Sequence, residues 1–284
     1  MKTERTISRN APLAWHDAGP FLWYALLLVL SAMMLFPFFY MLLTAVKSES
    51  QLITHPFLPE VWLWQNFGKA WNSEPFTRFL FNTVGVAITT TLLALLFCSL
   101  GGFAFAHSAF LGRRALFLGI LGTMMVPSQV TMIPNFLTTA RLGWLNSYAG
   151  LIIPVLPMAF GIFLMRQFFA NLPKDLFEAA RMDGAGEFRV FFQIALPLCK
   201  PALAALALFT FMGSWNSFLW PLVILDSEKY YTLPIGLLRF AQQYDTNYPY
   251  LMAVSLLTLL PQLGLFLVFQ RAFVRGMALS GIKE

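Results

Sequence analysis

The chain has 284 residues, 58% hydrophobic and 16% aromatic but only 11% charged, less than half of the roughly 25% charge of soluble domains. That composition excludes an ordinary soluble domain and points to an all-α protein crossing a membrane several times. The formal charge of +6 comes from scattered Lys and Arg rather than a basic cluster, so membrane topology accounts for it and no nucleic-acid partner is expected.

In chain order, residues 1–19 form a polar N-terminal segment, and an apolar run of about 26 residues begins at Phe21. This run is too long for the apolar core of a signal peptide, about 7–15 residues, so it is expected to remain as a first spanning helix at 20–46. Crossing the hydrocarbon core takes about 20 apolar residues. Five further stretches meet that need: 79–106, ending in SLGGFAFA; 115–139, interrupted by VPSQVTMIP with Pro127 and Pro134; 147–170; 202–225; and 251–271. None contains Asp or Glu, and their basic residues, Arg166 and Arg271, lie at the ends. With the N-terminus inside, 13 of the 19 Lys and Arg residues fall on the inner side, which places both termini in the cytoplasm. Trp62, Trp64, Trp71, Trp144 and Trp220 then sit near the outer boundary, where amphipathic rings prefer to lie.

The longest inner connection, 171–200, is polar and punctuated by Ala and Gly: FEAARMDGAGEFRVFFQIALPLCKP runs from Phe177 to Pro201. Asn171 is suited to cap a helix, with Pro173 in its first turn. Asp175 and Glu178 lie toward the positive end of the macrodipole and Arg181 toward the negative end. Leu176, Phe177, Ala179, Ala180 and Met182 make a small apolar face, and Gly184 provides a left-handed stop. The expected result is a helix over 172–182, a turn at 183–186 and a second helix from Glu187, with Pro197 and Pro201 marking entry to the fifth span. So short a helix is marginal alone. It needs a membrane surface or a docking protein, and the residues by themselves leave both open.

Catalytic chemistry finds little support. Cys98, Cys199, His16, His55 and His107 are isolated, so neither a disulfide framework nor a metal site is expected. No Walker A pattern occurs, and GAGEFR at 184–189 lacks the third Gly and the preceding strand of a dinucleotide fingerprint. His107–Ser108 is an adjacent base and hydroxyl without an acidic neighbour in sequence. The spans lack carboxylates and inverted repeats, which argues against a secondary carrier. Polar groups within them are Gln129, Asn135, Asn216 and Gln262, with Trp215 and Trp220 beside Asn216. Gln129, Asn135, Trp215 and Asn216 are therefore candidates for a solute pathway, against the alternative that such groups join helices by hydrogen bonds.

The inner connection also carries a resemblance. EAARMDGA at 178–185, followed by Phe191, Ile194, Leu196–Pro197 and Pro201, resembles the EAA loop of ABC importer permeases, E-A-A-x-x-D-G-A with a spaced F, I-x-L-P and P. WNSFLWPLVIL (215–225), TLPIGL (232–237) and FQRAFVRGMALSGIKE (269–284) resemble the shorter, maltose-type permease subunit of the carbohydrate-uptake branch. The resemblance implies a type I ABC importer permease fold: an N-terminal segment 1–19, a first span and outer loop 20–77, a core permease domain 78–271 and a cytoplasmic tail 272–284. It implies a bacterial inner-membrane subunit with no enzymatic site or cofactor of its own. ATP and Mg are used by a partner ATPase. The implied partners are a second permease, two ATPase subunits, an extracytoplasmic solute-binding protein and membrane lipid. Glu178, Ala179, Ala180, Asp183, Gly184 and Ala185 are then the coupling contact with the ATPase. Importers of glycerol phosphate, polyols or peptides share the loop and are the nearest alternative.

Overall fold

A computed structural model describes residues 18–281 apart from 157 and 244–246, with side chains from Leu22 to Leu267 outside 157 and 243–246. The expected segment before Ala18 and the last three residues of the expected tail lie outside the described residues. Every regular element described is helical: α1 Ala18–Ala45, α2 Glu49–Thr54, α3 Gln65–Ser73, α4 Phe76–His107, α5 Arg113–Thr123, α6 Ser128–Arg141, α7 Tyr148–Ile152 and α8 Ala159–Ala170. After them come α9 Lys174–Met182, α10 Glu187–Val190, α11 Leu196–Leu198, α12 Lys200–Trp215, α13 Leu219–Ile224, α14 Leu233–Gln243 and α15 Tyr248–Gly281.

Three helices are long and apolar enough to cross a membrane unaided: Leu22–Ala45 of α1, Phe76–His107 and Tyr248–Leu267 of α15. The other three expected spans are broken. α5 and α6 meet at 99°, because Pro127 (φ −58°, ψ 133°) stands at the head of α6 and disfavours helical geometry in the residue before it. Pro134, by contrast, is accommodated inside α6. The expected span 147–170 divides into Tyr148–Val155 and Ala159–Ala170.

The expected fifth span, 202–225, is not one helix: α12 stops at Trp215 and α13 begins only at Leu219. At the break, the Asn216 backbone N–H and its side-chain amide both donate to the Met212 carbonyl, at 3.0 and 2.9 Å. Asn216 thus satisfies the end of the helix with its own side chain, and continuation loses its advantage. At its other end α12 meets the segment Glu187–Leu198 at 81°.

α4 organises the molecule. Its 32 residues, about 48 Å at 1.5 Å per residue, run through two separate cores. One gathers Phe76, Phe79 and Val86 of α4 with Trp215, Ile224, Leu233 and Ile235. The other gathers Cys98 and Phe103 with Met165, Phe169, Phe177 and Phe191. In the second core α4 and α8 approach closely: a Cβ on Gly102 would lie 2.6 Å from Met165 Cβ and 2.7 Å from the Arg166 nitrogen. Small residues permit such contact where lipid supplies no hydrophobic drive between helices.

Near the start of α4, buried Asn82 fixes the 229–231 loop. Its amide donates to the Lys229 and Tyr231 carbonyls at 2.9 and 2.8 Å, and its oxygen accepts from the Tyr148 hydroxyl at 2.8 Å. α1 packs along α15 and leaves most of its apolar surface exposed, Leu28 at 70% and Met33 at 74% among others. A helix apolar all round is the form suited to a lipid environment.

Candidate functional site

The inner connection folds as a helix, a left-handed turn and a second short helix. α9 opens at Pro173, which stands at the N-cap with φ −59° and ψ 127°. Asn171 instead closes α8, so the helix starts two residues later than its sequence suggests. Asp175 lies in the first turn and Arg181 in the last, each matched to the dipole. The end of α9 is a Schellman motif. Gly184 N–H donates to Arg181 O at 3.0 Å and Ala185 N–H to Ala180 O at 2.9 Å, with Gly184 at φ +81°. A Cβ on Gly184 would meet nothing within 4 Å, so the glycine is required by its dihedral angle and not by crowding.

An Arg–carboxylate fork then ties the two helices across the turn. Arg181 Nε and Nη2 donate to Glu187 Oε1 and Oε2 at 2.8 and 3.2 Å. This hydrogen bond, and then the guanidinium charge, hold the Glu187 carboxyl below its ordinary value although partial burial opposes them.

One ring anchors the unit to the body of the protein. Phe177 is 1% exposed, with its centroid 4.3 Å from that of the His107 ring and 6.1 Å from that of Phe103. His107 in turn contacts the Phe169 carbonyl through Nε2 at 2.9 Å, so the ends of α4, α8 and α9 meet at one point. Ala180 and Ala185 are half-buried against the same core. On the opposite side Glu178, Ala179, Asp183 and Gly184 are exposed, together with Leu176 (45%), Met182 (88%) and Phe188 (75%). Of the six expected coupling residues, four face outward and two face inward. The single apolar face expected of α9 is thus split: Phe177 and Ala180 turn inward, while Leu176, Ala179 and Met182 stay exposed and form an outward patch with Phe188.

Two cavities lie among the broken spans. One, about 570 Å³, is lined by Ser128, Gln129, Thr131 and Asn135 of α6 facing Pro154 and Trp220. Gln129 and Asn135 share its wall with Trp220, whose indole N–H donates to the Gly150 carbonyl at 2.9 Å. The other, about 460 Å³, is walled by α4, α8 and α12 and includes Thr90, Thr210, Ser214, Ser217 and Thr232. Thr123 and Val155 belong to both walls. Both linings lack Asp, Glu, Lys and Arg.

Trp215 is 2% exposed and stacked on Phe211, so its ring fills core and lines neither cavity. Asn216 is exposed and accepts from Gln262 Nε2 at 2.8 Å, joining the break after α12 to α15. The hydroxyls of the second cavity escaped sequence reasoning because isolated Thr and Ser are common in spans. Their signal was Thr210 and Ser214, four residues apart and so on one face of α12. Among the described residues no group of His, Cys, Asp and Glu could hold a metal.

Discontinuous helices around uncharged cavities, with a helix-turn held out from one end, define a polytopic membrane permease. The sequence profile of the family described as "Binding-protein-dependent transport system inner membrane component" matches residues 98–279, and the chain belongs to that family, the inner-membrane permeases of ABC importers. It is 38% identical over 261 residues to the arabinooligosaccharides transport system permease protein AraQ of Bacillus subtilis, covering 90% of this chain and 93% of that one. It is 36% identical over 264 residues to the sn-glycerol-3-phosphate transport system permease protein UgpE of Yersinia enterocolitica, covering 89% and 94%. A bacterial ABC transporter involved in the import of the acidic polysaccharide alginate contains a chain that superimposes with a TM-score of 0.83 at 25% identity, covering 93% of this chain and all of that one.

Proposed function

We propose that this permease forms half of the translocation pathway of an ATP-driven importer of sugars and that it is driven through the connection 171–200. The observation that carries the proposal is the rigid helix-turn with one anchored face and one free face. Phe177 and Ala180 face the protein, while Glu178, Ala179, Met182 and Asp183 face away. A short helix of this kind transmits force when a partner grips the free side, since its Schellman turn and ion pair make the helix-turn one unit and Phe177 anchors that unit where α4 and α8 end.

In this proposal six segments cross the membrane, with both termini in the cytoplasm. Residues 20–77 supply the first span and outer loop, 78–271 the permease core and 272–284 a cytoplasmic tail. A second permease completes the pathway, and an extracytoplasmic binding protein delivers solute. Of two ATPase subunits, one receives the free face of α9, and the pair consume ATP and Mg²⁺. Glu178 and Asp183 meet basic groups of the ATPase, and Leu176, Met182 and Phe188 enter its apolar groove. ATP-driven closure moves α9 as a lever, and the broken spans rock to open the pathway alternately to each side. Solute biases that cycle only through unequal affinity for the two states. Gln129 and Asn135 line the solute path, while Asn216, outside both cavity walls, closes α12 and joins it to α15, and Trp215 packs in the core. The carbohydrate assignment is supported by the relatives named above and by the uncharged, hydrogen-bonding linings.

The test is co-expression of the permeases with the ATPase carrying a purification tag. Glu178→Lys and Met182→Asp are expected to lower recovery of the assembled complex and ATP-driven uptake at least tenfold while leaving permease abundance in the membrane unchanged. Unaltered assembly and uptake in both variants would overturn the coupling role.

A further inference from the structure

The cavity of about 460 Å³ falls within the span of small-molecule sites, about 300–1,000 Å³, and its wall contains two unusual groups. Thr90 is 1% and Thr232 5% exposed, and neither hydroxyl oxygen has a hydrogen-bond partner. Buried hydroxyls left unpaired cost about 1–3 kcal/mol each, and here two come from elements far apart in sequence onto one wall. Thr210 on the same wall donates only to the Met158 sulfur at 3.8 Å, a weak acceptor. The cavity also lies where three spans are interrupted. Thr123 and Met124 lie where α5 ends, Val155 and Met158 flank the break before α8, and Ser214, in the last turn of α12, and Ser217 flank the break after it. Irregular backbone at membrane depth is tolerated where it lines a cavity, and transporter sites are commonly built from such discontinuous helices.

We infer that the chamber walled by Thr90, Thr210, Ser214 and Thr232 is a subsite for an uncharged, polyhydroxylated solute, continuous through Thr123 and Val155 with the cavity of Gln129 and Asn135; this rests on the permease reading above. Hydroxyls serve as donor and acceptor alike, so they match a neutral sugar whose own hydroxyls do both. A phosphate or carboxylate on this wall finds no cation among its lining residues, and a buried charge without a partner is strongly disfavoured. The chamber therefore selects neutral sugars over anionic ones, although relatives of this chain include systems named for glycerol phosphate and alginate.

The experiment measures uptake by cells carrying the complete importer, with four labelled probes: arabinotriose, diacetylchitobiose, glycerol 3-phosphate and an alginate trisaccharide. Uptake of at least one neutral probe and of neither anion is expected. Thr90→Val with Thr232→Val is expected to reduce that uptake about tenfold, and Ser214→Phe, which fills the chamber, to reduce it at least as far. Since both Thr hydroxyls lack partners, the double Val variant is expected to melt at the wild-type temperature or above, which separates a lost solute contact from a damaged fold. Uptake of an anionic probe alone refutes the inference while leaving the permease assignment standing. So does uptake of a neutral probe at undiminished rates in all variants. Uptake of none of the four removes the carbohydrate assignment and the inference with it.

Discussion

Phe177→Ala isolates the mechanical role of the inner helix-turn. α9 has nine residues, too few for stable helix in isolation, and Phe177 is its one fully buried side chain. Truncating a buried Phe to Ala costs about 3–5 kcal/mol, a shift of roughly 150- to 5,000-fold in a local docking equilibrium. The remaining attachments are half-buried Ala180 and Ala185 and the exposed Arg181–Glu187 pair, which is internal to the unit and cannot hold it to α4 or α8. The helix-turn is therefore expected to detach while the spans stay packed. Hydrogen exchange in lipid nanodiscs reads this directly: amides of residues 176–186 should lose at least 100-fold protection, with those of α4 and α8 unchanged. Uptake should fall in parallel. Phe177→Leu retains most of the volume and should show a far smaller effect. Unchanged protection of 176–186 in Phe177→Ala would refute the anchoring role, and equal loss across α4 and α8 would make Phe177 a general core residue instead.

Gly184→Ala places a side chain at φ +81° and is expected to cost about 1–2 kcal/mol. Gly184→Pro also removes the N–H bonded to Arg181 and should abolish uptake, as measured in the same transport assay. Gly102→Val inserts atoms where a Cβ alone reaches the Met165 Cβ and the Arg166 backbone; overpacking of this kind costs about 1–3 kcal/mol or more, seen as a lower melting temperature in detergent. Gly68→Ala, in open space inside α3, should raise it slightly, Ala being favoured over Gly there by about 0.5–1 kcal/mol. Asn82→Leu strands the Lys229 and Tyr231 carbonyls, at about 1–3 kcal/mol, and should expose the 229–231 loop to protease. Because the folded Glu187 carboxyl titrates below its unfolded value, its pairing stabilises at neutral pH and is lost as pH falls through that lowered value. The pair is partly exposed and its worth is at most about 0.2–1 kcal/mol; Glu187→Gln should lower the melting temperature slightly at pH 7 and not at pH 3.

Sequence by itself determined the class of protein, because charge depletion and the length of apolar runs follow directly from what a bilayer accepts. It also determined the inner helix-turn nearly residue by residue. Local chemistry governs that segment: a proline suited to the start of a helix, a glycine that can adopt φ +81° and charges matched to a dipole. Tertiary structure decided what local chemistry leaves open. Hydropathy reads 202–225 as a continuous span, since it does not register that Asn216 bonds back to Met212 and ends α12 at Trp215. Composition places Trp215 beside Asn216 as a candidate for solute contact, yet packing on Phe211 turns its ring into the core. The direction each Ala of the EAA segment faces depended on where α4 and α8 lie, which placed Ala180 inward and left Ala179 outward. The chamber of Thr90 and Thr232 depended on the fold most of all. Residues 142 positions apart become one wall only when α4 and the loop before α14 are brought together, and no local pattern encodes that meeting.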